Sequence, residues 1–196
     1  MECSFALLSG GNSRRFIDDK TKALLFGKPL YEYGLECGLS IASQVMHISK
    51  DKAKYKPFME NVEYIEDELD VVCPMSGLIT AARYAKYDNM FILSADSPLI
   101  TGNFFKYLYN NINTYDGVVP VVDNRQYPLT AIYKRHVLLS MEEDYNKNEY
   151  KLMKSLQNHN ILYIQEDEII SSRFNKEMFI NINYKDDLKL LEENHG

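Results

Sequence analysis

What this sequence of 196 residues has little of narrows it first. Cysteine occurs only at Cys3, Cys37 and Cys73, without a CxxC pair, so neither a disulfide framework nor a cysteine zinc site is expected, and a reducing cytoplasm is the implied compartment. Positive charge is also scarce. Lys and Arg number 22 against 28 Asp and Glu, the formal charge is −6, and no basic block is interleaved with aromatics; neither a nucleic acid nor a membrane is an expected partner. No apolar run approaches the ~18 residues of a transmembrane helix. The N-terminal "CSFALL" follows Glu2, runs straight into glycines and is too short for a signal-peptide core. The six prolines and nine glycines are scattered, with no repeat, linker or low-complexity tract, so one domain over residues 1–196 is expected.

What is present is apolar residue, at 45%, enough for a sizeable core. Short β-branched and aromatic runs recur as "CSFALL", "QVMHIS", "VEYI", "MFILSA", "GVVPVV", "LTAIYK", "ILYI" and "MFINI", and these read as strands. Between them lie helical faces: Tyr31, Leu35, Leu39 and Ala42 form one, and Leu78, Ala81, Ala82 and Ala85 another. Strand–helix alternation predicts an α/β fold with a largely parallel sheet, helices on both faces, and "MFILSA" as a buried central strand. Sites in such folds gather at the C-terminal ends of strands.

"LLSGGNSRRFIDDK", Leu7 to Lys20, begins at the end of the first expected strand. Glycines there permit positive φ and close approach of backbone N–H groups to an anion. The spacing is neither GxGxxG nor GxxxxGK[ST]. A tight turn with solvated Arg14 and Arg15 is one reading of the loop. The other is a triphosphate site, to which Arg15 brings a planar fork and Lys20 a point charge.

The loop, with "GKPL" after it, resembles the opening LAGGxSxRMGxDK…GKPL of the molybdenum cofactor guanylyltransferases, within the MobA-like NTP transferase family; Gly-Gly, Ser, Arg, Asp-Lys and Gly-Lys-Pro-Leu are in register. The resemblance implies a Rossmann-like nucleotidyltransferase fold of three layers with a mostly parallel central sheet. It implies that Leu8, Ser9, Gly10, Gly11, Arg15 and Lys20 wrap the triphosphate. Two departures stand out: Phe16-Ile17 replaces Met-Gly, and a second lysine, Lys22, follows Lys20 and is the alternative phosphate contact.

Nucleoside triphosphate chemistry calls for Mg²⁺, which takes oxygen ligands and one or two protein carboxylates. Asp96, after "MFILSA" and before Pro98, is the strand-end candidate, although an Asp-x-Pro is also an ordinary turn. In the resembled family the DxP at this place holds the metal. Asp67, in "VEYIEDE", reads by composition as part of an acidic surface turn; the resemblance makes it nucleotide-binding, and "PMSGLITAA" then matches a family segment in which Gly77 nears the ligand. Ser76 and Gly77 are candidate caps for that helix. "YPLTAIY" and "FININYKDDL" extend the resemblance to Leu188, and Asn181 and Asn183, alternating on an expected strand, are weaker candidates. None of the four histidines shows ligand spacing.

The implied reaction is GMP transfer from GTP to molybdenum-molybdopterin, releasing pyrophosphate, with Mg²⁺ as cofactor and Arg15, Lys20 and Asp96 as catalytic residues. Gly10 fits the Gly-Gly of guanylyl members, where cytidylyl relatives carry Ala-Gly. Molybdenum-cofactor delivery proteins and apo-molybdoenzymes are the implied partners. A cytidylyltransferase acting on molybdopterin or another phosphorylated small molecule shares the loop and Asp96, and a catalytically silent nucleotide-binding regulatory module is the reading from a different class.

Overall fold

The computed structural model describes residues 1–10, 20–182 and 184–195. In chain order the elements are β1 (Ser4–Ser9), β2 (Leu24–Leu25), β3 (Lys28–Pro29), α1 (Leu30–Leu39), β4 (Gln44–Ser49), β5 (Glu63–Glu66), α2 (Pro74–Tyr84) and β6 (Asn89–Ser94), then α3 (Gly102–Ile112), β7 (Gly117–Val122), β8 (Arg125–Gln126) and β9 (Thr130–Lys134). The chain continues through α4 (Arg135–Asn146), α5 (Leu152–Leu156), β10 (Ile161–Gln165), α6 (Glu166–Ser171) and α7 (Lys185–His195). Short 3₁₀ turns cover Lys20–Lys22, Lys52–Tyr55 and Lys176–Phe179.

The main sheet runs β10-β7-β9-β6-β1-β4-β5, with β8 paired to β7. Every neighbouring pair along this path is parallel except those of β9, which runs antiparallel to both β6 and β7. This is the expected α/β architecture with one reversed strand. Period-2 alternation sends β1 side chains to two cores: Phe5 and Leu7 join α1, α3 and α6 on one face, while Ala6 and Leu8 join α2, α4 and α5 on the other. Burying each large side chain is worth about 1.5–3 kcal/mol. Helices on both faces make three layers.

Helix α1 lies unusually close to β1. A Cβ added at Gly34 would sit 2.4 Å from Leu7 Cδ1, and one at Gly38 2.5 Å from Phe5 Cδ1, so these two glycines set the layer spacing. The expected apolar face on this helix is only half right: Tyr31 and Leu35 are buried, but Leu39 is exposed and Ala42 lies beyond the helix, which ends where Ser40 donates its N–H and hydroxyl to the last carbonyls. The second expected face holds, with Leu78, Ala81, Ala82 and Ala85 all buried.

"GKPL" forms a two-residue hairpin between β2 and β3. Phe26 and Gly27 both take positive φ, 48° and 78°, as the tight primed turn requires. The hairpin packs under α7 through Leu25, Leu30, Ile182, Leu188 and Leu191. "MFINI" is not a strand. Asn175 caps a 3₁₀ turn that takes up Met178 and Phe179, and Ile182 N–H then bonds Asp96 O at 2.9 Å instead of joining the sheet. The expected strand alternation of Asn181 and Asn183 is therefore absent at Asn181, and Asn183 lies outside the described residues.

Candidate active site

The C-terminal ends of β1, β4, β5 and β6 lie side by side. Ser9 is in register with Ser49, Ser49 with Glu66, and Leu8 with Ser94. Two backbone bonds extend this edge beyond the strands, Asp67 N–H to Ser49 O at 2.8 Å and Ala95 N–H to Leu8 O at 3.1 Å. A shallow, solvent-open pocket forms here, with Gly10, Ser49, Lys50, Asp67, Ser76 and Gly77 in its wall.

The N-terminus of α2 opens into this pocket. Its cap residue is Cys73 and its first helical residue is Pro74, not Ser76 or Gly77, which instead sit inside the first turn. Proline's fixed φ suits that first position. Cys73 makes no side-chain cap bond, so among the described residues the first N–H groups and the positive end of the helix dipole face the pocket beside Gly10. Gly10 is exposed and does not adopt a positive φ; among the described residues, a Cβ there would meet nothing within 4 Å. The backbone alone does not require this glycine, contrary to the sequence expectation.

Asp67 has a second role that the sequence does not disclose. Its Oδ2 accepts from Ser76 Oγ at 2.7 Å and pairs with Lys50 Nζ at 2.9 Å, and its Oδ1 accepts from Thr80 Oγ1 at 2.8 Å and from Leu69 N–H at 3.2 Å. Four donors fill the carboxylate's lone pairs. Burial pushes the Asp67 pKa up, but the bonds from Lys50, Ser76, Thr80 and Leu69 together outweigh it and hold the group below its ordinary value. Lys50 also donates to the Asp67 and Leu69 carbonyls, so one ammonium fastens the loop that follows β5. Asp67 thereby ties β4, this loop and α2 into one rigid wall.

Asp96 lies two residues past Ser94, which lines the pocket, in a turn closed by Ser97 N–H to Ser94 O at 3.1 Å. Its carboxylate is half-buried. The C-terminal segment holds this turn twice, by the Ile182–Asp96 backbone bond and by Ser97 Oγ donating to Asn181 Oδ1 at 2.8 Å. Asn181 thus positions the Asp96 turn from outside the pocket.

Ser9 faces away from the pocket, toward buried His47, whose Nε2 is 2.6 Å from the Ser9 hydroxyl. Tyr31, Tyr55 and Tyr64 surround that imidazole, with ring centroids 5.6, 4.2 and 5.3 Å away. Tyr55 OH also lies 2.9 Å from Thr21 Oγ1, and Lys22 Nζ stands 5.9 Å over the Tyr55 ring. His47 therefore couples the end of β1 to the far end of the glycine loop. No spacing signal in the sequence pointed to it, nor to Lys50.

The structure thus brings Leu8, Gly10, Asp67 and Gly77 to one pocket; Asp96 does not line it but lies two residues past Ser94, which does, and Asn181 bonds the neighbouring Ser97. Lys20 opens the 3₁₀ turn that re-enters the fold. Gly11, Arg15 and Asn183 lie outside the described residues.

Comparison with known proteins bears on the family and the fold. The MobA-like NTP transferase domain family matches residues 5–161. A probable molybdenum cofactor guanylyltransferase of Bacillus licheniformis is 30% identical over 194 residues, covering 95% of this chain and 94% of that protein. One from Aquifex aeolicus is 29% identical over 191 residues, covering 96% and 90%. The crystal structure of molybdopterin-guanine dinucleotide biosynthesis protein A from Archaeoglobus fulgidus superposes with a TM-score of 0.82 at 27% identity, over 97% of each chain. The 2-C-methyl-D-erythritol 4-phosphate cytidylyltransferase of Thermus thermophilus, at 12% identity and a TM-score of 0.76 over 99% and 98% of the two chains, shares the fold. Matched by that family over residues 5–161 and by relatives along nearly its whole length, the chain belongs to the MobA-like NTP transferase family and is a nucleotidyltransferase.

Proposed function

We propose that this enzyme acts in molybdenum cofactor biosynthesis, transferring GMP from GTP to molybdenum-molybdopterin in the cytoplasm. The observation that carries the reading is the juxtaposition of Gly10 and the uncapped first turn of α2 in one pocket, bordered by the Asp96 turn. The names of the Bacillus licheniformis and Aquifex aeolicus relatives supply the substrate class.

In the proposed reaction a terminal phosphate oxygen of molybdopterin attacks the α-phosphorus of GTP. The bond from that phosphorus to the α,β-bridging oxygen breaks, and pyrophosphate leaves. The nucleophile is already anionic at neutral pH, so no general base is required. Catalysis rests on alignment and charge neutralisation. The N–H groups of α2 and the backbone beside Gly10 hold phosphate oxygens; Arg15 and Lys20 neutralise the triphosphate in this reading. The Lys50-braced Asp67 keeps the wall rigid, so the bound nucleotide meets a preorganised surface.

Asp96 is the residue that would hold Mg²⁺. The donor chemistry fits, since a half-exposed carboxylate at the end of a central strand supplies the one or two protein oxygens this ion takes alongside water and substrate phosphates. When bound, the ion neutralises phosphate charge. Delivery proteins and apo-molybdoenzymes receive the product in this reading.

Thermal unfolding with each nucleoside triphosphate, with and without Mg²⁺, tests the proposal. GTP with Mg²⁺ raises the midpoint of the wild type, by about 2.7 kcal/mol of stabilisation at a hundredfold excess over Kd. Asp96→Ala loses the metal-dependent part. A preference for CTP moves the assignment to cytidylyl transfer, and no response to any nucleotide contradicts it.

A further inference from the structure

The end of the sheet opposite the pocket carries a second group of chemistry-bearing side chains. Asp116 immediately precedes β7, His136 lies in the first turn of α4, just after β9, and His159 lies two residues before β10. Strand β9 runs antiparallel to β7, and β7 parallel to β10, so the three residues share one edge. A six-residue strand such as β7 spans about 20 Å, which separates this edge from the nucleotide pocket.

Among the described residues, these three form the one group of three or more His, Cys, Asp and Glu whose ligand atoms, one from each, all lie within 4.8 Å of one another. His136 Nε2 is 3.4 Å from Asp116 Oδ1. That separation is close to the ligand–ligand edge of about 3.3 Å in a tetrahedral zinc site with bonds near 2.0–2.1 Å. The imidazoles of His136 and His159 are neighbours, with centroids 6.1 Å apart.

The supports around the trio are those a metal site needs. Asp116 N–H bonds Asn160 O and Lys134 N–H bonds Asp116 O, both at 2.8 Å, so the three ligand-bearing segments are fixed to one another by backbone. Asp116 Oδ2 accepts from Asn160 N–H at 3.0 Å, leaving Oδ1 on the histidine side. Ser140 Oγ sits 2.9 Å from His159 Nε2 and fixes that ring's orientation, the usual part of an outer-shell partner. A simple ion pair explains less: His136 is 60% exposed on its side chain, where pairing contributes little, and a second imidazole competes for the same carboxylate.

We propose that Asp116, His136 and His159 form a binding site for one divalent transition-metal ion of the zinc class. Two imidazoles and a carboxylate select such an ion over Mg²⁺, which prefers oxygen donors alone, and water completes a tetrahedron. A bound ion joins the starts of β7 and β10 to the start of α4. It stabilises the fold without touching the nucleotide pocket.

Calorimetric titration of the metal-stripped full chain with Zn²⁺, in the absence of nucleotide, tests this. The wild type takes up one equivalent and its thermal midpoint rises, whereas Mg²⁺ at the same concentration gives no such rise at this site. The double variant His136→Ala/His159→Ala weakens that binding by at least tenfold. Asp116→Asn, which keeps an oxygen for Asn160 N–H, also weakens it while preserving the fold. The midpoint shift with GTP is unchanged in both variants. Absence of stoichiometric Zn²⁺ binding by the wild type, or equal affinity in the double variant, overturns the proposal.

Discussion

Replacing Asp67 with asparagine removes the charge on which four donors converge. The amide keeps one acceptor oxygen, so it can satisfy either the Ser76 and Lys50 side or the Thr80 and Leu69 side, and its NH₂ faces donors on the other. A hydrogen bond to a charged group is worth about 1.5–3 kcal/mol, and a buried donor left unsatisfied costs about 1–3 kcal/mol. Asp67 is 7% exposed, but its partner Lys50 keeps 29% of its side chain in solvent and recovers some hydration, which places the expected loss near the lower end, about 2–3 kcal/mol. For a chain of this length that is a fall in Tm of about 4–12 °C. The pH profile sharpens the test. The folded pKa of Asp67 lies below the ordinary value of 3.8, so its stabilisation is present above that value and is lost as pH falls through the folded pKa. Urea unfolding of wild type and Asp67→Asn from pH 7 down to pH 3 should show two curves that converge toward the acid end. Equal stability at pH 7, or parallel curves throughout, would refute the idea that this carboxylate fastens the pocket wall. Thr80→Val removes one donor outside the pocket lining and should cost about 1 kcal/mol while GTP binding persists.

Three further outcomes follow from the same geometry. Gly38→Ala drives a methyl into the Phe5 ring; overpacking of about 1–3 kcal/mol exceeds the ~1 kcal/mol helix gain, and the Tm should fall by a few degrees in a thermal melt. Gly10→Ala meets no atom of the described residues within 4 Å, so the free protein's Tm should not move, whereas GTP binding by calorimetry should weaken about tenfold, or about 1.4 kcal/mol, if the base or phosphates occupy that space. Lys20→Ala should abolish pyrophosphate release in a coupled assay, while Lys22→Ala, whose ammonium stands over Tyr55, should retain most of it.

The parts of the fold that were legible are those written in local pattern. "QVMHIS" and "GVVPVV" match β4 and β7 residue for residue, because nearly unbroken β-branched and apolar runs bounded by polar turns leave little choice. "MFINI" misled because its composition is strand-like; the cap at Asn175 and the bond from Ile182 to Asp96 set its course instead. The reversal of β9 is a tertiary fact that periodicity does not encode. At the site, the glycine loop and Asp96 draw attention through motif and strand-end position, whereas Asp67 and Gly77 are named only through the family resemblance. Lys50 and His47 cannot be named either way. Each acts through a partner distant in sequence, 17 residues to Asp67 and 38 to Ser9, and no local rule links such pairs. The Asp116, His136 and His159 group is hidden for the same reason, since its members meet only when β7, β9 and β10 align.

The most direct test of guanylyl transfer is release of pyrophosphate by the purified protein supplied with molybdenum-molybdopterin, Mg²⁺ and one nucleoside triphosphate at a time. The account predicts release with GTP that depends on the pterin substrate, little with CTP, and loss of the GTP signal in Asp96→Ala. Turnover with CTP in preference to GTP, or GTP-dependent release indifferent to the pterin, would contradict it.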